Sequence, residues 1–198
     1  MHPFATNAAE RQFVPPLLAG LAILATYGID RSAALIGLQF PWWLSPPSVM
    51  GIYGLLSRVF DRLVWQWRLV RGLGLVDIPA IDGEWCGEVE SSFGDDGEPT
   101  EISVRIFQDW RRILIRAETE NSVSVSKTAT VLLREEGALV SYEYLNEPSI
   151  EAPSTMRIHR GTARLELSER SDKRVLEGFY YTGPQRGNVG RLSLYQEL

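Results

Sequence analysis

Cysteine is almost missing from this sequence, and histidine nearly so. One cysteine, Cys86, stands among 198 residues, with two histidines, His2 and His159. A single thiol cannot close an intramolecular disulfide, and it excludes a metal site built from several cysteines. The simplest reading is a soluble part that works in a reducing compartment. No nucleophile is spaced to a base and no phosphate-cradling glycine loop occurs. Gly83-Glu84-Trp85-Cys86-Gly87 fits neither pattern. The expectation is a protein that is not an enzyme, with no metal and no cofactor.

Basic charge is also short where a nucleic-acid binder would need it. Residues 1–80 carry six arginines against four acids, and residues 81–198 carry fourteen basic against twenty-one acidic side chains. An acidic globular part argues against a DNA or RNA polymer as partner. A few focused arginines would still suit a small anion.

Long apolar runs are confined to the first part. Phe13 to Ile29 is seventeen residues without a charge, bounded by Arg11 and by Asp30-Arg31, the short end of a membrane-spanning helix. Pro15 and Pro16 lie near its start, where a missing N–H costs least. A signal peptide would show a similar core, but no clear A-x-A site follows. A second helix is expected from about 47 to 67, after Ser45-Pro46-Pro47. Arg58, Asp61 and Arg62 interrupt it; Arg58 and Asp61, three apart, share a helical face. Trp42, Trp43, Trp65 and Trp67 bracket it as interfacial aromatics do. An amphipathic helix lying on the bilayer would look the same. The expected organisation is a two-helix membrane region over 1–71 (helices about 12–30 and 47–67), a linker over 72–80, and a second domain over 81–198. Arg11, Arg62, Arg68 and Arg71 flank the ends of the hairpin against Arg31 in its loop, which places the second domain in the cytoplasm.

From Ile81 the apolar period becomes two. Eight runs are predicted as strands: 83–91, 101–109, 112–119, 122–134, 138–146, 155–168, 175–182 and 190–196. Short turns join most of them, which favours an up-and-down meander closing into an eight-stranded antiparallel, lipocalin-like β-barrel. The last hairpin, around Gly183-Pro184-Gln185-Arg186-Gly187, organises the reading, because one face of it mixes leucine and glycine with Tyr180 and Thr182.

Alternation predicts the inward face. Trp85, Gly87 and Val89 belong together, then Val104, Ile106 and Gln108, then Ile113, Ile115, Ala117 and Thr119. Ser122, Ser124 and Ser126 follow, with Val140, Tyr142, Tyr144 and Asn146, then His159, Gly161, Ala163, Leu165 and Leu167. Leu176, Gly178, Tyr180 and Thr182 face Gly190, Leu192 and Leu194. One end is then aliphatic, while the other gathers Gln108, Thr119, Tyr144, Asn146, His159, Tyr180 and Thr182. Buried polar groups need partners, so this end is expected to hold water and a ligand. Each element has a plainer reading: a solvated serine face, a structural histidine, a cross-strand tyrosine pair, a turn-capping asparagine before Glu147-Pro148. Arg186, in a glycine-flanked turn, has the chemistry of a phosphate ligand and equally that of a surface arginine.

G-x-W-x-G at Gly83-Trp85-Gly87, Gln108, Thr119 with the spaced serines, Tyr142 to Pro148, His159-Arg160-Gly161-Thr162-Ala163 and Tyr180-Tyr181-Thr182-Gly183 follow two apolar segments. In this order the chain resembles, over essentially its whole length, the SMODS-associated, two-transmembrane, β-strand-rich effectors of cyclic-oligonucleotide-based antiphage signalling (CBASS). The resemblance implies a bacterial inner-membrane, multi-pass protein whose cytoplasmic barrel binds a cyclic dinucleotide. Binding would drive homo-oligomerisation in the lipid bilayer, membrane disruption and death of the infected cell. For such a ligand, Arg186 with Arg160 or Arg157 are the candidates to meet the two phosphates, and Tyr144, Tyr180 and Tyr181 to stack on the bases. Asn146, Thr119, Thr182 and Gln108 would read base edges or ribose hydroxyls. The competing readings are a membrane-tethered, lipocalin-like carrier or sensor of an apolar small molecule, and a scaffold whose barrel binds a protein.

Overall fold

A computed structural model describes residues 1–37, 41, 45–92, 99–153, 156–170, 172–183 and 187–197. It divides into Ala8–Asp77 and a strand-rich unit made of Met1–Asn7 with Ile78–Leu198.

The first unit is helical. Helix α1 runs from Glu10 to Leu35, about 39 Å at 1.5 Å per residue. Its most apolar stretch has a mean hydropathy of 1.5, so it is long and apolar enough to cross a bilayer. Glu10, Val14, Leu18, Ala22 and Thr26 are buried at four-residue spacing, while Leu17, Leu21, Ile23, Leu24, Tyr27 and Ile29 are exposed. That apolar exterior, unfavourable in water, is compatible with membrane association. Past Leu35 the chain turns at Gly37, whose φ of +80° needs glycine and lets its N–H reach the Ala34 carbonyl. Helix α2, Ser45–Arg62, packs on α1 and is followed by a 3₁₀ turn at Val64–Gln66 and a short helix α3 at Arg68–Gly72. The expected helix to residue 67 thus stops at Arg62. Among the described residues α1 alone meets the length and hydropathy of a span, because Arg58, Asp61 and Arg62 occupy the end of α2.

The second unit holds two very short strands, β1 (His2–Pro3) and β2 (Ala5–Thr6), and eight longer ones: β3 (Gly83–Ser91), β4 (Thr100–Gln108), β5 (Arg112–Thr119), β6 (Ser122–Leu133), β7 (Ala138–Pro148), β8 (His159–Arg170), β9 (Lys173–Thr182) and β10 (Val189–Glu197). Strands β3 to β10 form a closed antiparallel up-and-down barrel, each pairing with its sequence neighbours and β10 returning to β3. The last hairpin is in register from Val189↔Tyr181 to Glu197↔Lys173. The run expected from 155 begins at His159, and a bulge between Ser126 and Thr128 exposes Lys127 and Thr128 and turns Ala129 and Val131 inward.

Burial follows the alternation. Trp85, Ile113, Leu165, Leu176 and Leu194 are fully buried in the lower barrel. Inward glycines let the wall curve. A Cβ on Gly178 would lie 2.0 Å from the Arg164 carbonyl oxygen and 3.0 Å from Leu165 Cα, both backbone atoms that cannot swing away. Gly178→Ala is therefore expected to destabilise the strand domain by about 1–3 kcal/mol, read as a lower denaturant midpoint; an unchanged midpoint would contradict this register.

The chain enters the core where the expected 72–80 linker ends. Ile78 and Ile81 are fully buried, and residues 79–81 are stitched to the barrel floor. Gln108 Oε1 accepts the Ile81 N–H at 2.8 Å while Gln108 Nε2 donates to the Pro79 carbonyl at 3.0 Å. Trp85 Nε1 donates to the Ile81 carbonyl at 3.0 Å, and the Arg174 guanidinium donates to the Ala80 carbonyl.

Candidate ligand-binding site

Because successive strands alternate in direction, the C-terminal ends of β3, β5, β7 and β9 meet the N-terminal ends of β4, β6, β8 and β10 at one rim. A cavity of about 230 Å³ opens there, lined among others by Thr119, Ser122, Ser124, Tyr142, Tyr144, Asn146, His159, Tyr180, Thr182 and Leu192. Six of the ten sequence-predicted site residues are thereby brought together: Thr119, Tyr144, Asn146, His159, Tyr180 and Thr182. Gln108 is not among them. It ends β4 opposite Ile113, at the floor, so the expectation that it shares the polar end is corrected, and its amide serves the 79–81 backbone. Arg160 and Tyr181 point away from the lumen on the outer wall, Tyr181 at 52% exposure. Arg157 is exposed just ahead of β8. Arg186 lies outside the described residues.

Two tyrosines lie over glycines. Tyr144 pairs with Gly161 across β7 and β8, and Tyr180 with Gly190 across β9 and β10. A Cβ on Gly161 would fall 2.3 Å from Tyr144 Oη, and one on Gly190 2.3 Å from Tyr180 Cε1. The missing side chains let both rings lie against the wall and leave the space beside them open. Gly161→Ala is expected to push Tyr144 into the lumen while keeping both tyrosines, so it should weaken a stacked guest with little change in fold; titration of the variant tests this.

Asn146 is the polar centre. Its Nδ2 donates to Ser122 Oγ and Ser124 Oγ, each at 2.9 Å. Thr119 Oγ1 meets Ser122 Oγ at 3.1 Å, and Thr182 Oγ1 accepts the Asn188 N–H at 2.9 Å. The alternate serines are thus a network on the lumen face rather than a solvated one. Asn146 Oδ1 is buried with no hydrogen-bond partner among the described residues. A buried unpaired acceptor costs about 1–3 kcal/mol, which a guest carrying an N–H would recover. His159 Nδ1 lies 2.9 Å from the Arg157 carbonyl, which holds the ring at the rim.

Tyr142 packs beside Tyr144, ring centroids 6.1 Å apart, and burial pushes its hydroxyl far above the ordinary phenol range. The unfolded chain loses this proton near pH 10 while the folded one keeps it. Stability is therefore expected to hold below about pH 10 and to fall as pH rises beyond it, more steeply than in Tyr142→Phe.

No lysine or arginine lines the cavity among the described residues. A larger concavity of about 940 Å³ lies on the outer wall, but Glu88, Glu101, Glu118 and Glu120 line it, and four carboxylates repel an anionic ligand. Sequence alternation missed Asn121, Met156 and Asn188, which line the cavity from loops; loop residues carry no periodic pattern.

The family model "Cap15, cyclic dinucleotide receptor domain" matches residues 76–196. A Staphylococcus schleiferi protein named CD-NTase-associated protein 15 is 28% identical over 127 residues, 64% of this chain and 65% of its own length. A Yersinia aleksiciae protein of the same name is 28% identical over 148 residues, 74% of this chain and 68% of its own. The chain therefore spans about two thirds of these curated relatives.

Proposed function

The chain belongs to the family of Cap15 cyclic dinucleotide receptor domains, and from that premise we propose that it is a non-catalytic CBASS effector whose barrel takes a cyclic dinucleotide at the polar rim. The observation that carries this reading is the buried Asn146 oxygen, without a partner among the described residues, in a cavity that Tyr144 and Tyr180 also line, each ring laid over a glycine. A base has an N–H edge for the one and flat faces for the others. Thr119, Thr182 and His159 stand where ribose hydroxyls or further base edges would meet them.

The size of the lumen sets the pose. At about 230 Å³ it is below the roughly 300–1,000 Å³ of sites that enclose a drug-sized ligand. One base enters, and the phosphates stay at the mouth. Arg157 lies just ahead of His159, the first residue of β8, and Arg186 is a further candidate by sequence alone. A helical hairpin of α1 and α2 anchors the barrel on the cytoplasmic side of the inner membrane. Occupancy drives association of copies and disruption of the bilayer. Arg58 and Asp61 would then be satisfied between packed helices; Arg58→Leu leaving oligomer size and toxicity unchanged would remove that role.

The test is thermal melting of the full chain in detergent against a panel of purine and pyrimidine cyclic dinucleotides and of fatty acids. A guest that binds only the folded state raises the melting temperature. One cyclic dinucleotide is expected to do so, with an affinity that weakens as salt rises because its phosphates meet arginines.

The absence of lysine and arginine from the described lining favours a second reading, a carrier of a small apolar molecule. It predicts a shift with fatty acids alone and an affinity indifferent to salt.

A further inference from the structure

The barrel wall has a seam, and the first seven residues close it. Strands β5 and β6 pair only where Arg116–Thr119 meets Ser122–Val125. Toward the floor they part, and the N-terminal segment lies between them. His2 and Pro3 pair antiparallel with Ile113 and Arg112 of β5, while Ala5 and Thr6 pair parallel with Thr130 and Val131 of β6. Asn7 continues the ladder with its side chain. Its Oδ1 accepts the Leu133 N–H at 2.7 Å and its Nδ2 donates to the Leu133 carbonyl at 3.1 Å. Phe4 is buried, and His2 and Thr6, on the same alternation, are half-buried.

The upper end of this segment is tied to the strand that holds the site. Ser122, Ser124 and Ser126 are successive alternate residues of β6. The first two hold the Asn146 amide. Ser126 Oγ accepts the Ile115 N–H at 2.9 Å and lies 2.8 Å from His2 Nε2. With His2 Nδ1 also 3.1 Å from the Pro3 carbonyl, the ring bridges the N-terminal segment and the Ser126 hydroxyl. The lower end is tied to the helical unit by sequence, since only Ala8 and Ala9 separate Asn7 from the first residue of α1. The segment's strand pairing is short, two residues on each side and the Asn7 amide, and Pro3 has no N–H to add to it.

We propose that residues 2–7 are a seam strand that couples occupancy of the lumen to α1, an inference that deepens the receptor reading and rests on it. A guest on Asn146 fixes Ser122 and Ser124, and with them β6 down to its bulge, which favours the docked strand. Docking in turn fixes the point from which α1 departs. Linkage is reciprocal, so the docked strand raises affinity for the guest although it touches none of it.

Hydrogen exchange on the full chain in detergent, with and without the cyclic dinucleotides of the melting panel, tests this. A dinucleotide that slows exchange over residues 119–124 is expected to slow it also at residues 2–7 and at Leu133. Slowing at 119–124 with no change at the seam would overturn the coupling and leave the receptor reading standing. No slowing at 119–124 with any dinucleotide would overturn the receptor reading and the coupling with it. Asn7→Ala, an exposed change remote from the lumen, removes the two Leu133 bonds and is expected to weaken binding about fivefold or more. Faster exchange over residues 2–7 in that variant with unchanged affinity would also overturn the proposal.

Discussion

Trp85→Ala is expected to cost the strand domain about 3–5 kcal/mol, seen as a large fall in the denaturant midpoint at unchanged slope. The indole is fully buried at the barrel floor, with the Arg174 guanidinium 5.7 Å from its ring. Its N–H also holds the Ile81 carbonyl, so truncation opens a cavity and strands a buried acceptor together. Trp85→Phe separates the two effects: it keeps most of the volume, and its cost of about 1–3 kcal/mol would be that of the orphaned carbonyl. A loss below about 1 kcal/mol for the alanine variant would mean that the floor is not the core described.

Tyr144→Ala combined with Tyr180→Ala is expected to abolish the melting shift produced by a cyclic dinucleotide. A base stacked on an aromatic face gains about 1–3 kcal/mol. Losing both rings should weaken binding from about 30-fold to about 10⁴-fold. The matching Tyr→Phe changes keep the faces and should bind nearly as the parent does. An apolar guest predicts a different order, with phenylalanine as good as tyrosine or better and a smaller loss for alanine. Undiminished dinucleotide binding in the double alanine variant would sink the stacking arrangement, and the pose at the rim with it.

The opposite placements of Gln108 and Thr119 were within reach of the sequence. In an up-and-down meander a residue that ends one strand and a residue that ends the next lie at opposite rims. Alternation alone reports the face of the wall, not the height on it, and Gln108 needed both. The face itself was legible nearly everywhere, because a half-buried strand can satisfy its core only with period two. That is why Trp85, Ala117, Tyr144, Leu165, Thr182 and Leu194 turn inward as expected. It is also why Tyr181, next to Tyr180, falls outside.

The apolar first helix, the eight strands with their inward set, and the closing hairpin can be read from the chain of residues alone, since each repeats with the period of its own backbone. The resemblance to the CBASS effectors supplied the ligand class, which no periodicity carries. The remaining features come from the folded molecule. Residues 2–7 carry too few alternating positions, and a proline, to read as strand; they are extended because β5 and β6 part and leave unpaired backbone on both sides. The bulge at Lys127, the tyrosines resting on Gly161 and Gly190, and the unpaired oxygen of Asn146 arise where side chains and backbone of paired strands are brought together across the ladder. Local propensity acts over a few residues, whereas these features depend on cross-strand neighbours that the register of pairing supplies.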